Sequence, residues 1–116
     1  MTVRRLKTYA SSQGYVYQYY FAGKHPSSEP DAAEYVFDVT SDRALTYPVR
    51  VLIRRTEIGA WEKAHQRALS DAEQYAAVKL RLFRAFDEVQ DLQHQDCRLE
   101  IDAPFLEESL GSLGID

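Results

Sequence analysis

Three potential metal ligands fall within four residues at His94-Gln95-Asp96-Cys97. A structural zinc site needs four ligands, normally as two clustered pairs. The chain offers only His25 and His65 besides, and no second cysteine. A histidine near a helix end and a small packed cysteine account for the same residues, so neither a metal nor a cofactor is expected. Cys97 paired with His94 or His65 would be a thiol nucleophile. Asp91, Asp96, Glu100 and Asp102 surround it in sequence and disfavour the thiolate. The pairs Asp87/Glu88 and Glu107/Glu108 are adjacent, and adjacent positions on a helix diverge by about 100°, so they read as solvated faces. No nucleophile elbow, Walker loop or dinucleotide-binding glycine pattern occurs, and the five glycines are scattered singly. The expectation is a chain that is not an enzyme.

Two other groups of residues suggest binding. Tyr15-Val-Tyr-Gln-Tyr-Tyr-Phe-Ala22 is the most β-prone run. Alternation puts Tyr15, Tyr17, Tyr19 and Phe21 on one face and Val16, Gln18, Tyr20 and Ala22 on the other. Gln18 and Tyr20 would then share a mixed face with Arg50 and Arg54, where an aromatic ring stacks a base and arginines track phosphates. Core packing explains most of the aromatics and the RNP pattern is absent, so single-stranded nucleic-acid binding is the less favoured reading. The second group lies on the long helical stretch. Tyr75, Val78, Leu82, Phe86 and Val89 form one apolar stripe, Phe83 widens it, and Leu80 points nearly opposite. Leu80 and Phe83 therefore mark a surface for a protein partner, a two-fold homodimer being the commonest arrangement.

The elements that position these residues follow from pattern and punctuation. Residues 3–10 alternate as a polar edge strand, and Ser11–Gly14 is a turn. After the tyrosine run, Gly23–Asp31 is expected to be a mobile loop too rich in Pro and Ser to pair. Glu34–Thr40 and Tyr47–Arg54 resume as strands, joined by a tight connection at Ser41–Arg43, and Pro48 places the start of the second before regular pairing. Thr56 is expected to cap a short helix over 56–66, with Ile58, Trp61 and Ala64 at helical spacing. Ser70 and Glu73 form a capping box for a long helix over 70–92. Cys97–Ile101 is a candidate further strand. A short helix over 103–110 has Pro104 in its first turn and Gly111 past its end.

At 116 residues, 45% hydrophobic and 28% charged, the chain is one globular domain. No apolar run approaches the roughly 18 residues a bilayer span needs, and no signal-peptide core follows Arg4-Arg5, so no membrane association is expected. A lone cysteine suits a reducing compartment, and the cytoplasm is the expected location. Residues 1–55 carry eight Lys/Arg against five Asp/Glu, and residues 56–116 carry six against thirteen. The basic excess of the first half falls short of a nucleic-acid footprint. The fold expected is α+β: an antiparallel meander of three to four strands within 3–54, packed on one face by a short and a long helix, with a short C-terminal helix. The function expected is a non-enzymatic interaction or regulatory module that self-associates, with nucleic-acid binding or a tyrosine-lined small-molecule site between sheet and helices as alternatives.

Overall fold

The computed structural model describes residues 6–27, 29, 31–89, 92 and 98–116. The elements run β1 (Lys7–Ala10), β2 (Val16–Pro26), β3 (Ala32–Thr40), β4 (Tyr47–Arg54), α1 (Arg55–His65), α2 (Asp71–Glu88), β5 (Arg98–Ile101) and α3 (Ala103–Ser112). They form one sheet in the order β1-β2-β3-β4-β5. The first four strands pair antiparallel, and β5 pairs parallel to β4 through Arg50↔Arg98 to Ile53↔Ile101. The α+β class holds, but the sheet has five strands where three or four were expected, and the fifth lies outside residues 3–54. It is parallel because α1 and α2 carry the chain back before it re-enters the sheet.

Period-two alternation decides which face is buried. Tyr17, Tyr19, Tyr35, Phe37, Val39, Val49, Val51 and Ile53 point to the helices, where Trp61, Val78, Leu82, Phe86 and Leu106 meet them. Tyr17 stacks on Phe86 with ring centroids 4.3 Å apart. Two residues of the tyrosine run depart from the expected buried face. Tyr15 precedes β2, in the turn after Gly14, and is exposed; Phe21, past the last described β1–β2 pair at Lys7↔Tyr19, is 37% exposed.

Several boundaries are corrected by contacts distant in sequence. The segment expected to be a loop from Gly23 pairs instead, since β2 runs to Pro26. A bulge makes this feasible: the register passes from Phe21↔Phe37 to Gly23↔Val36, and Gly23 takes φ 154°. Pro26 sits at the strand's last position, where its missing donor costs least. The connection after β3 spans residues 41–46, organised by the Asp42 carboxylate accepting from the Ala44 and Leu45 amides at 2.8 and 2.9 Å. The first helix has no Thr56 cap. β4 passes straight into α1 at Arg55, and the Arg55 amide donates to the Asp31 carbonyl at 2.7 Å.

The capping box at Ser70 and Glu73 forms as expected, yet α2 stops at Glu88 rather than Leu92, with Val89 extended. What stops it is β1 and the following turn. The Tyr9 hydroxyl donates to Asp87 Oδ2 at 2.7 Å, the Ser12 amide to Oδ1 at 3.0 Å, and the Ser12 hydroxyl to the Asp87 carbonyl. α3 begins on an Asp102 cap that accepts from the Phe105 amide, and it extends two residues past the expected end. No helix among the described residues is long and apolar enough to cross a membrane.

Candidate functional site

Of the residues expected to form a mixed binding face, all four lie on the side of the sheet away from the helices, but they are not together. Gln18 pairs with Thr40 and Arg54 with Ala32, at opposite ends of β3. Eight residues of strand put about 26 Å between those rows. Tyr20 and Arg50 occupy neighbouring rows, opposite Asp38 and Val36. The arginines are committed: Arg50 approaches Glu34 at 3.7 Å, Arg54 binds Glu29 at 3.1 Å and also Glu100, and Arg98 binds Glu29 at 3.3 Å. Leu52 is wholly buried on this same face. Such a balanced ionic surface attracts phosphates weakly.

The expected partner surface on α2 is also narrower than the sequence suggests. Phe83 stacks on Tyr9 at 4.6 Å and 8°, and meets Tyr19 edge-on at 5.7 Å. Leu80 is half-buried. The extra width of the helix's apolar stripe is thus used by β1 within the chain. His94 and Cys97 lie outside the described residues, and among those described no group of three or more His, Cys, Asp or Glu is placed to hold a metal ion.

A groove of about 610 Å³ lies where the far end of the β2–β3 hairpin faces α1 and the start of α2. That volume lies within the roughly 300–1,000 Å³ of ordinary ligand sites. Small residues create it. Ala32 and Ala33 end the hairpin, and Gly59 sits mid-helix on α1 with open space where a Cβ would be. Pro26, Ala33, Ile53 and Ile58 supply apolar surface, while Lys24, His25, Arg55, Asp31, Glu62, Asp71 and Gln74 supply polar groups of both signs. Glu62 is already occupied, accepting from the Leu69 amide at 2.7 Å. No tyrosine lines the groove, so the expected tyrosine-lined site between sheet and helices is not what is found there; the tyrosines pack the core.

Lys24 carries the groove round to a second feature. Its ammonium lies 5.3 Å from the Tyr35 ring centre. Nearby on α2, the Lys79 ammonium lies 5.9 Å from Tyr75 and 5.6 Å from Phe83. Burial, and then the adjacent Lys7 ammonium, lower the pKa of Lys79 below the usual lysine value. Phe21 meets Tyr75 edge-on at 5.1 Å and remains partly open to solvent. Burial raises the Tyr75 phenol. The sequence reading missed both features. An isolated glycine inside a helical pattern is the one visible sign of the groove, at Gly59; nothing local marks Lys7 and Lys79 as neighbours.

No family model, curated protein or solved structure matches this chain.

Proposed function

We propose that the protein is a non-enzymatic interaction module that receives part of a partner in the groove between the β2–β3 hairpin, α1 and α2. The observation that carries this is the groove's composition: an apolar floor bordered by charges of both signs, on a scaffold of strand ends and helix starts. Recognition sites combine such apolar surface with a few placed polar groups. A partner other than a second copy is favoured, because Tyr9 covers the flank of α2 at Phe83. Nucleic acid is disfavoured by the carboxylates paired with Arg50 and Arg54.

The test is selection of phage-displayed random peptides on the immobilised protein, followed by binding to Gly59→Phe. A Cβ at Gly59 meets no atom within 4 Å, so the substitution is expected to leave the fold in place, which circular dichroism checks. Selected peptides are expected to bind the wild type and to weaken at least about tenfold on the variant. Peptides that bind both proteins equally would remove the groove as the site.

A further inference from the structure

β1 and α2 lie side by side with their chains running the same way. Tyr9 stacks on Phe83, and its hydroxyl reaches Asp87, one turn further along α2. Two residues back along β1 stands Lys7, and four residues back along α2 stands Lys79. Over those intervals the strand retreats about 7 Å and the helix about 6 Å, so the packing that joins Tyr9 to Phe83 also sets the two lysines together. Their ammonium groups are neighbours. Lys7 is exposed, whereas Lys79 is half-buried, 5.9 Å from the Tyr75 ring centre and 5.6 Å from that of Phe83. Burial and the second cation both disfavour its charged form, so Lys79 gives up its proton more readily than an ordinary lysine. Two phenols also face it, Tyr75 on α2 and, across Phe83, Tyr19 of β2. Burial raises both, so neither supplies an anion near neutral pH. The segment before Leu6, Met-Thr-Val-Arg-Arg, contains no carboxylate.

We propose that Lys79 is a site of reversible carbamate formation with carbon dioxide, and that the Lys7 ammonium holds the product. The neutral ε-amine gives its lone pair to the carbon of carbon dioxide and an N–C bond forms. One C–O π bond opens to leave a carboxylate, and a proton passes from the nitrogen to water. No oxidant or further reactant is consumed. The charge of the product is what selects this reagent. An aldehyde would give an imine whose protonated form restores the two adjacent cations, and an acyl donor would give a neutral amide. A carbamate is an anion, so it replaces the repulsion between the lysines with an ion pair. The ring faces of Tyr75 and Phe83 provide apolar surface for a small apolar molecule, and the exposed Lys7 head provides donors for the carboxylate that forms. The modification cancels the positive charge of the pair where β1 meets α2. Neither lysine lines the groove, so the site is separate from the one that receives a partner.

The test equilibrates the full chain with ¹³C-labelled bicarbonate and carbon dioxide at mildly alkaline pH. Triethyloxonium ion then ethylates any carbamate, and mass spectrometry of the tryptic peptides locates the adduct. Lys63, exposed in the last turn of α1, is the internal reference. The adduct on Lys79 is expected to exceed that on Lys63 at least about threefold, since a lowered pKa enlarges the neutral fraction. Lys7→Gln removes the second cation and is expected to cut the Lys79 adduct at least about threefold. Lys7→Arg keeps the charge and is expected to retain most of it. Circular dichroism checks the fold of both variants, and Lys7 is exposed, so neither substitution disturbs the core. Equal adduct on Lys79 and Lys63, a Lys79 adduct indifferent to Lys7→Gln, or a loss in Lys7→Arg as deep as in Lys7→Gln would each overturn the proposal. Peptide binding in the groove is a separate measurement, and failure of either leaves the other standing.

Discussion

At the scale of single residues, Glu73 shows how a local motif gains a partner no local rule names. Its carboxylate accepts the Ser70 amide in the capping box and also a two-point contact from Arg67, at 3.0 and 2.8 Å. The Arg67 hydrogen bonds, followed by that from Ser70, hold its pKa down to about 2. A carboxylate depressed in the folded state stabilises above its unfolded pKa, and the contribution is lost as pH falls through the folded one. The loss therefore falls between about 4.5 and about 2. Glu73→Gln keeps a capping side chain but not the charge, so its deficit in Tm relative to wild type is expected to be constant above pH 5 and to shrink as acid approaches pH 2. Thermal melts of both proteins across that range check it, and a deficit independent of pH would contradict the charge pairing. The S-x-x-E spacing made the cap legible in the sequence. Arg67 was not, because it depends on Gln66 adopting φ 54° and folding the chain back beyond α1.

At the scale of elements, apolar periodicity located α2 but not its end. Val89 and Leu92 continue the helical spacing, and both are packed against or within the core. The termination comes from Tyr9 and Ser12, more than seventy residues earlier. An aspartate in the last turn is unfavourable for the helix dipole, and those hydrogen bonds offset it. The same contact pushes the Tyr9 phenol up to about 12, the Asp87 hydrogen bond first and burial second. A group raised in the folded state contributes fully below its unfolded pKa and fades as pH rises through the folded one. Tyr9→Phe retains the ring against Phe83 and is expected to cost about 1 kcal/mol in urea unfolding at neutral pH. Sign and range follow: the difference from wild type narrows from pH 10 towards pH 12. A difference still growing in that interval would contradict the phenol as donor. The extension of β2 to Pro26 was hidden for a related reason. Ser27, Pro26 and Pro30 signal a loop, whereas the bulge before Gly23 needs β3 alongside to show its value.

At the scale of the whole molecule, the meander was legible because each of its strands alternates on its own and neighbours in sequence are neighbours in space. β5 was only a candidate from its four residues, and its parallel pairing is set by the intervening helices. The candidate site was least legible, since the groove forms only after the β2–β3 hairpin, α1 and α2 have packed. Stability should follow the same pattern. β3 is held on both sides along nearly its whole length, while β1 and β5 are four-residue edges. Native-state amide exchange is expected to be slowest in β3 and fastest in β1 and β5. Equal protection in β5 and β3 would show that the sheet opens only as a unit. The junction of β4 with α1 gives the molecule a mechanical character of its own. No linker separates strand from helix, and the first helical amide is tied to Asp31, which holds φ 58° in the turn between β2 and β3. Hairpin tip, strand end and helix start are thus bolted at one joint, with the groove in the angle between them. The Arg55–Asp31 hydrogen bond thus ties two walls of the groove to each other directly, with no linker between strand and helix to absorb a change in their angle.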